Sequence, residues 1–179
     1  VKDKAVNTFY SYKFIGLSPL SGGPVFDDYE ERQHELDGLS KYETFKKVLT
    51  ASGRREPYMS GNLTTNLSYK NIRLSGTFAY SLGAKVRLFQ MYRSELIAPE
   101  SNLRRELLDR WQNPGDEKHT NIPAVIGRYE PYYFTYNEHW SQTSYYNVQP
   151  FASSLWNMYD YSDLRVVSGN YLKCNNLMV

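Results

Sequence analysis

The chain has 179 residues, 41% of them hydrophobic, and a formal net charge of +2. This length allows one domain with a core, whereas no basic stripe is dense enough to predict nucleic-acid binding. The single cysteine, Cys174, excludes an internal disulfide and a cysteine-based zinc cluster, and no apolar run is long enough for a membrane-spanning helix.

The first predicted element is a strand over about 5–16. Tyr10, Tyr12 and Phe14 alternate there with polar residues, and this period of two is typical of a strand. Glycine and proline residues, which favour turns and loops, follow directly afterwards. A long loop is therefore predicted over about 17–57.

One short helix is predicted inside this loop. Ser40 is followed three residues later by Glu43, which is the spacing of a capping box. Apolar residues at helical spacing then predict a helix over 41–51, with Gly53 as its stop.

Two further strands are predicted over about 60–69 and 72–89, joined by a tight turn at Lys70 and Asn71. Apolar and polar residues alternate in both arms, which places each set on its own face. The apolar set is Leu63, Thr65, Leu67, Tyr69, Ile72, Leu74, Phe78, Tyr80 and Leu82. The polar set, predicted to face a wet lumen, is Asn62, Thr64, Asn66, Ser68, Arg73 and Ser75.

The length of these arms favours a membrane β-barrel. A tilted strand needs about 9 to 11 residues to cross the hydrocarbon layer, and each arm is close to that. The predicted fold is therefore all-β, an antiparallel transmembrane β-barrel segment whose long outer loops carry short helices. A soluble sandwich would show the same alternation, but another layer would then cover the apolar face.

The second half of the chain is predicted to be mostly loop, over about 90–160. Pro99 suits the first position of a second helix, which keeps apolar spacing as far as Trp111. A last strand is predicted over about 164–179, with its partner strand absent from the chain.

Aromatic residues crowd the loop, and long loops are usually functional. Their rings suit sugar C–H patches or peptide side chains, and five are candidates for contact with substrate: Tyr133, Trp140, Tyr145, Tyr146 and Trp156. The alternative, which we favour, is packing within the loop or contact with a partner protein.

No catalytic residue, metal site or cofactor is predicted, and the chain is not expected to be an enzyme. His34, His119 and His139 are far apart and have neither metal-ligand nor triad spacing. The acidic residues between 27 and 31 lack the spacing of a calcium loop.

Several motifs, taken in order, resemble SusC/RagA-type TonB-dependent outer-membrane transporters. The match spans nearly the whole chain. It is carried by Tyr12-Lys13-Phe14-Ile15-Gly16-Leu17-Ser18-Pro19 with Gly22 and Pro24; Ser68-Tyr69-Lys70-Asn71-Ile72-Arg73-Leu74-Ser75; Tyr80-Ser81-Leu82-Gly83; Asp109-Arg110-Trp111-Gln112-Asn113-Pro114-Gly115-Asp116 with Asn121-Ile122-Pro123; and Tyr161-Ser162-Asp163-Leu164-Arg165-Val166.

The resemblance implies a roughly 22-stranded barrel in the cell outer membrane, plugged by an N-terminal domain. This chain would be a C-terminal barrel fragment, without the plug or the TonB box. The turn at Lys70 and Asn71 would be periplasmic, and segments 17–57 and 90–160 would be outer-surface loops.

The implied function is import of glycans or peptides. The implied partners are a SusD-like surface lipoprotein, TonB through the missing N-terminal part, an oligosaccharide or peptide substrate, and outer-membrane lipid, but no nucleic acid. The alternative is a stand-alone soluble β-rich carbohydrate-binding module.

Overall fold

A computed structural model describes residues 5–27, 34–36, 38–91, 103–125 and 155–179. These residues are mostly β-structure with few helices, and their sheets are open. The strands are β1 (Thr8–Ser11), β2 (Phe14–Leu17), β3 (Pro24–Phe26), β4 (Thr50–Arg54), β5 (Met59–Tyr69), β6 (Ile72–Leu82), β7 (Lys85–Arg87), β8 (Val166–Ser168) and β9 (Tyr171–Met178). The helices are α1 (Lys41–Val48) and α2 (Leu155–Asp160), with 3-10 helices at Arg105–Asp109, Asp116–Lys118 and Asp163–Arg165.

The chain divides into two compact units. Unit 1 comprises Val1–Phe9, Ser52–Arg87 and Val166–Val179, and unit 2 comprises Tyr10–Ala51 and Leu88–Arg165. The sheets are β1–β4, β2–β3, β5–β6–β9 and β7–β8. The division between the units falls within β1 and within β4.

In unit 1, two neighbouring strands are interrupted at positions that lie next to each other. Strand β6 gives way to β7 at Gly83, and β8 gives way to β9 at Gly169 and Asn170. The Gly83 N–H donates to Asn170 Oδ1 at 2.6 Å, and the Gly169 N–H donates to the Ala84 carbonyl at 2.8 Å. Because these bonds bridge both interruptions, the two strands remain joined there.

Unit 2 contains the hydrophobic core of the described residues. Its buried members are Tyr12, Phe26, Leu36, Val48, Met91, Leu107, Trp156, Met158 and Tyr159. Tyr159 packs edge-on against Trp156, and its hydroxyl donates to the Asn121 carbonyl at 3.0 Å. Large aromatic side chains therefore supply much of the apolar burial in this unit.

Two of the sequence motifs meet in unit 2 at Gly22 and Trp111. Gly22 has a φ of 66°, and a Cβ at this position would overlap the Trp111 ring. Backbone hydrogen bonds hold the neighbouring segments, from Trp111 to the Ile122 carbonyl at 2.9 Å and from Ala124 to the Gly22 carbonyl at 2.9 Å. Glycine is thus required both by the backbone conformation and by the close approach of the indole.

Two carboxylates organise the turn that follows Trp111. Asp116 Oδ2 accepts from the backbone N–H groups of Asn113 and Gln112, and these hydrogen bonds lower the pKa of Asp116. Glu117 Oε2 accepts from the Gly115 N–H at 2.7 Å and from the Trp111 indole N–H at 3.3 Å. Both carboxylates therefore stabilise the turn in their ionised form.

The predicted capping box is confirmed. Ser40 Oγ accepts from the Glu43 N–H, and the Glu43 carboxylate accepts from the Ser40 N–H at 3.0 Å. Helix α1 nevertheless ends at Val48. The prediction of Gly53 as its stop was wrong, because Gly53 lies in β4 with a φ of 115° and packs against the Lys85 side chain.

The predicted first strand is interrupted. Tyr12 leaves the β1 pairing, and its N–H donates to the Tyr161 carbonyl at 3.1 Å. The Asp163 N–H in turn donates to the Tyr12 carbonyl at 2.9 Å, and the Phe14 N–H donates to Asp163 Oδ1 at 3.0 Å. Contacts with a segment remote in sequence, which periodicity does not show, thus end β1 before β2 begins.

The later elements also differ from their predicted limits. The strand expected over 72–89 ends at Leu82 and resumes only as β7. The predicted second helix is a short 3-10 helix at Arg105–Asp109, while its expected first residue, Pro99, lies outside the described residues. The last predicted strand is divided into β8 and β9.

Replacing Gly22 by Ala should destabilise unit 2 by about 2–4 kcal/mol, because a positive φ and overlap with Trp111 each add a penalty. Gly16→Ala is the matched control, since a Cβ there meets no atom within 4 Å. Denaturant unfolding followed by tryptophan fluorescence measures both changes in the free energy of unfolding. Equal effects of the two substitutions would contradict this account of Gly22.

Candidate functional site

The β5–β6–β9 sheet of unit 1 is the candidate functional site. Strands β5 and β6 pair in an uninterrupted antiparallel register from Met59 opposite Leu82 to Tyr69 opposite Ile72. Lys70 in the connecting turn has a φ of 52°, and tight hairpins require positive φ in their turns. The predicted turn position is therefore confirmed.

The six residues predicted to line a lumen share one face of this sheet. Directly opposed residues of an antiparallel pair lie on the same side. The register opposes Asn66 to Ser75 and Ser68 to Arg73, while Asn62 and Thr64 face Ala79 and Thr77. Their common face is thus observed, whereas its orientation toward a lumen stays a prediction.

The opposite face is apolar and exposed. Leu63 lies opposite Phe78, and Leu67 lies opposite Leu74. Leu63 and Leu67 are each 59% exposed. An exposed apolar surface of this kind is typical of contact with lipid, protein or ligand.

Two glycines on the apolar face are covered by aromatic rings. A Cβ at Gly61 would lie 3.0 Å from the Tyr80 hydroxyl, and a Cβ at Gly76 would lie 3.0 Å from the Phe78 ring. An aromatic side chain over a strand glycine restores packing that the glycine itself lacks. The rings are therefore held against the sheet.

Strand β9 forms the third strand of this sheet, so the prediction that its partner strand is absent was wrong. It pairs antiparallel with β6, which places Leu172 and Cys174 on the apolar face opposite Tyr80 and Phe78. Lys173 lies opposite Ala79, on the polar face. Sequence periodicity indicated a strand here but carried no signal for this pairing of remote segments.

Of the five aromatic candidates for contact with substrate, only Trp156 is among the described residues. Tyr133, Trp140, Tyr145 and Tyr146 lie outside them. Trp156 is 3% exposed and belongs to the core of unit 2. This position favours packing, the alternative interpretation, for Trp156.

A buried charged cluster in unit 2 was not predicted. Arg165 Nη2 donates to the Phe89 carbonyl at 2.7 Å, and Asp160 Oδ1 accepts from the Met91 N–H at 3.0 Å. The carboxylate lies 3.9 Å from Arg165 Nε, and Glu106 lies 3.9 Å from Arg165 Nη1. Two side chains remote in sequence thus fix the backbone on either side of residue 90. The cluster therefore holds this part of the chain in position.

Burial has the largest effect on the pKa values of Asp160 and Tyr159. It raises the pKa of Asp160 to about 6, against the opposing effects of the Met91 N–H and the Arg165 guanidinium. Burial likewise raises the pKa of Tyr159 to about 12. An uncharged Asp160 is therefore favoured by its surroundings at mildly acidic pH.

Neither metal-ligand clusters nor spanning helices occur in the described part of the chain. No three His, Cys, Asp or Glu side chains are close enough together there to hold a metal ion. Among the same residues, no helix is long and apolar enough to cross a membrane. No protein-family model matches the chain, and no curated protein matches it either.

The stability of unit 2 should fall as pH rises through about 6. Because the folded pKa of Asp160 lies above its usual value of 3.8, the folded state binds the proton more tightly than the unfolded state. Its stabilising contribution is complete below about 3.8 and is lost as pH rises through 6, by up to about 3 kcal/mol.

Asp160→Asn keeps an oxygen for the Met91 N–H but cannot ionise. Thermal unfolding from pH 5 to 7 should show the wild type losing stability relative to Asp160→Asn. Asp109→Asn, at an exposed position of the same unit, is the control and should follow the wild-type profile. A constant difference between wild type and Asp160→Asn across this range would contradict the assignment.

Proposed function

We propose that this chain forms part of the wall and surface loops of a SusC/RagA-type TonB-dependent outer-membrane importer of glycans or peptides. The observation that carries the proposal is the two-faced β5–β6–β9 sheet, with an exposed apolar face behind a polar one. Such a wall meets lipid on its apolar side and water on the other.

Strand length supports this assignment. Strands β5 and β6 have 11 residues each. At about 3.3 Å per residue and a tilt of about 45°, 11 residues rise roughly 25 Å, which matches the apolar band of a membrane barrel. In a soluble sheet, strand length does not have to match the thickness of a membrane.

The open edges of the sheet are also consistent with a wall segment. Within the described residues, β5 and β9 are its edge strands. Unpaired backbone groups at an edge are costly in hydrocarbon, so neighbouring strands would continue the sheet on both sides. A complete barrel of about 22 strands would provide them.

The parts of the chain would then have different roles. The sheet would be a static wall, with Asn62, Thr64, Asn66, Ser68, Arg73 and Ser75 hydrating the lumen or meeting the plug. The turn at Lys70 would face the periplasm, and segments 17–57 and 90–160 would face a SusD-like lipoprotein or substrate. TonB would act through the plug, and this segment would perform no chemistry.

Cys174 provides a direct test. In the intact outer-membrane protein, with any other cysteine replaced by Ser, a spin label on Cys174 should be accessible to oxygen dissolved in lipid and shielded from a water-soluble nickel complex. Lys173→Cys in a Cys174→Ser background is the matched control, because residues 173 and 174 lie on opposite faces. A label at residue 173 should be accessible to the nickel complex and less accessible to oxygen dissolved in lipid.

Cell fractionation completes the experiment. The intact protein should run as a heat-modifiable outer-membrane band. A Cys174 label shielded from both reagents in a soluble protein would overturn the proposal and favour the carbohydrate-binding module, in which another layer covers this face. A Cys174 label open to the nickel complex would also overturn it.

A further inference from the structure

Unit 1 is strongly cationic. Its described residues include seven Arg or Lys side chains, at 54, 55, 70, 73, 85, 87 and 173, and a single carboxylate, Glu56. Glu56 accepts a hydrogen bond from the Asn7 side chain. The ion pairs recorded among the described residues all lie in unit 2. Unit 1 therefore carries a positive charge that its own described carboxylates do not balance.

Cations of unit 1 lie over aromatic rings. The Arg54 guanidinium carbon lies 3.5 Å from the centre of the Tyr58 ring, and Lys70 Nζ lies 5.4 Å from that of Tyr69. A ring stabilises a cation without neutralising it. These side chains are thus held in place while their charge remains available to an anion.

The two pairs stand at opposite ends of strand β5. Tyr69 is the last residue of β5, and Tyr58 directly precedes the first. Tyr58 is 76% exposed and Tyr69 is 71% exposed. Residues 59–68 of β5 thus separate two exposed tyrosines, each with a cation beside it, and this is about the spacing expected of the two membrane–water interfaces.

The end at Tyr58 carries the denser group of cations. The Lys85 side chain packs against Gly53, directly before Arg54 and Arg55 in the chain, and Arg87 lies 5.4 Å from the centre of the Phe9 ring. Arg54 Nε is buried and has no hydrogen-bond partner in the described structure. We call Arg54, Arg55 and Lys85 the basic cluster.

We propose that the basic cluster binds the phosphate of an anionic membrane lipid, at the end of the sheet opposite the Lys70–Asn71 turn. Guanidinium and ammonium groups are suited to phosphate oxygens, and the apolar face of the sheet whose end carries the cluster suits the acyl chains of the same molecule. This inference rests on the proposed function, because a lipid phosphate reaches the cluster only if the apolar face lies in a bilayer.

Retention of phosphatidylglycerol tests the inference. The intact protein is reconstituted in mixed phosphatidylcholine and phosphatidylglycerol bilayers, extracted with non-ionic detergent, and its bound lipid counted by native mass spectrometry. Arg54→Gln/Arg55→Gln/Lys85→Gln should bind phosphatidylglycerol about fivefold more weakly per cation removed. Added salt should weaken wild-type binding and affect this variant less.

Two further variants separate charge from structure. Arg54→Lys/Arg55→Lys/Lys85→Arg keeps the charges and should retain the lipid. A second variant, Lys46→Gln/Arg105→Gln/Lys118→Gln, removes three exposed cations from unit 2 and should also retain it. A heat-modifiable band confirms that each variant is folded.

Three results would overturn the inference. The first is unchanged retention by the folded Gln variant, and the second is an equal loss in the unit 2 control. The third is displacement of the lipid by inorganic phosphate beyond that by chloride at equal ionic strength, which would indicate a site for free phosphate. If the Cys174 label nevertheless reports a lipid environment, the proposed function survives the loss of this inference; a label exposed to water would remove both.

Discussion

The register of the central hairpin is the constraint on which the rest of the candidate site depends. Side chains alternate between the faces of a strand, so a slip of one residue would move every apolar side chain of β5 to the polar face. The uninterrupted pairing from Met59 to Tyr69 fixes the two faces, and β9 extends both of them through its pairing with β6. A single backbone arrangement thus decides where apolar contacts, polar contacts and charges lie.

The two units are stabilised in different ways. Unit 2 has a buried aromatic core and a buried pair, Asp160 and Arg165, that holds the backbone near residue 90. In unit 1 the apolar side chains of the β5–β6–β9 sheet remain largely exposed. Because burial of apolar area is the main favourable term in folding a soluble domain, unit 1 gains little from this face in water. In the proposed barrel wall, neighbouring strands and lipid would supply the stabilisation that this face does not gain in water.

Much of the sheet follows from sequence periodicity, but the contacts between remote segments do not. Alternation predicted both arms of the hairpin and the shared face of the six polar residues, and a local capping box predicted the start of α1. The interruption at Tyr12 depends on Asp163, and the third strand depends on pairing across about 95 residues. The motif residues Gly22 and Trp111 could be recognised in the sequence, whereas the reason for them, a ring against a backbone with positive φ, is visible only in space.

The charge pattern links these observations. The buried cation of unit 2, Arg165, lies beside a carboxylate, since an isolated buried charge would be costly. At the two ends of β5, Arg54 and Lys70 lie instead over tyrosine rings, which fix their positions and leave their charge in place. Protein carboxylates at those positions would neutralise the cations permanently. Under the proposed binding of an anionic lipid, the cations would be neutralised only when the sheet lies in the membrane. The hairpin register therefore fixes the two faces of the sheet, and it also fixes the two ends of β5 at which Arg54 and Lys70 lie.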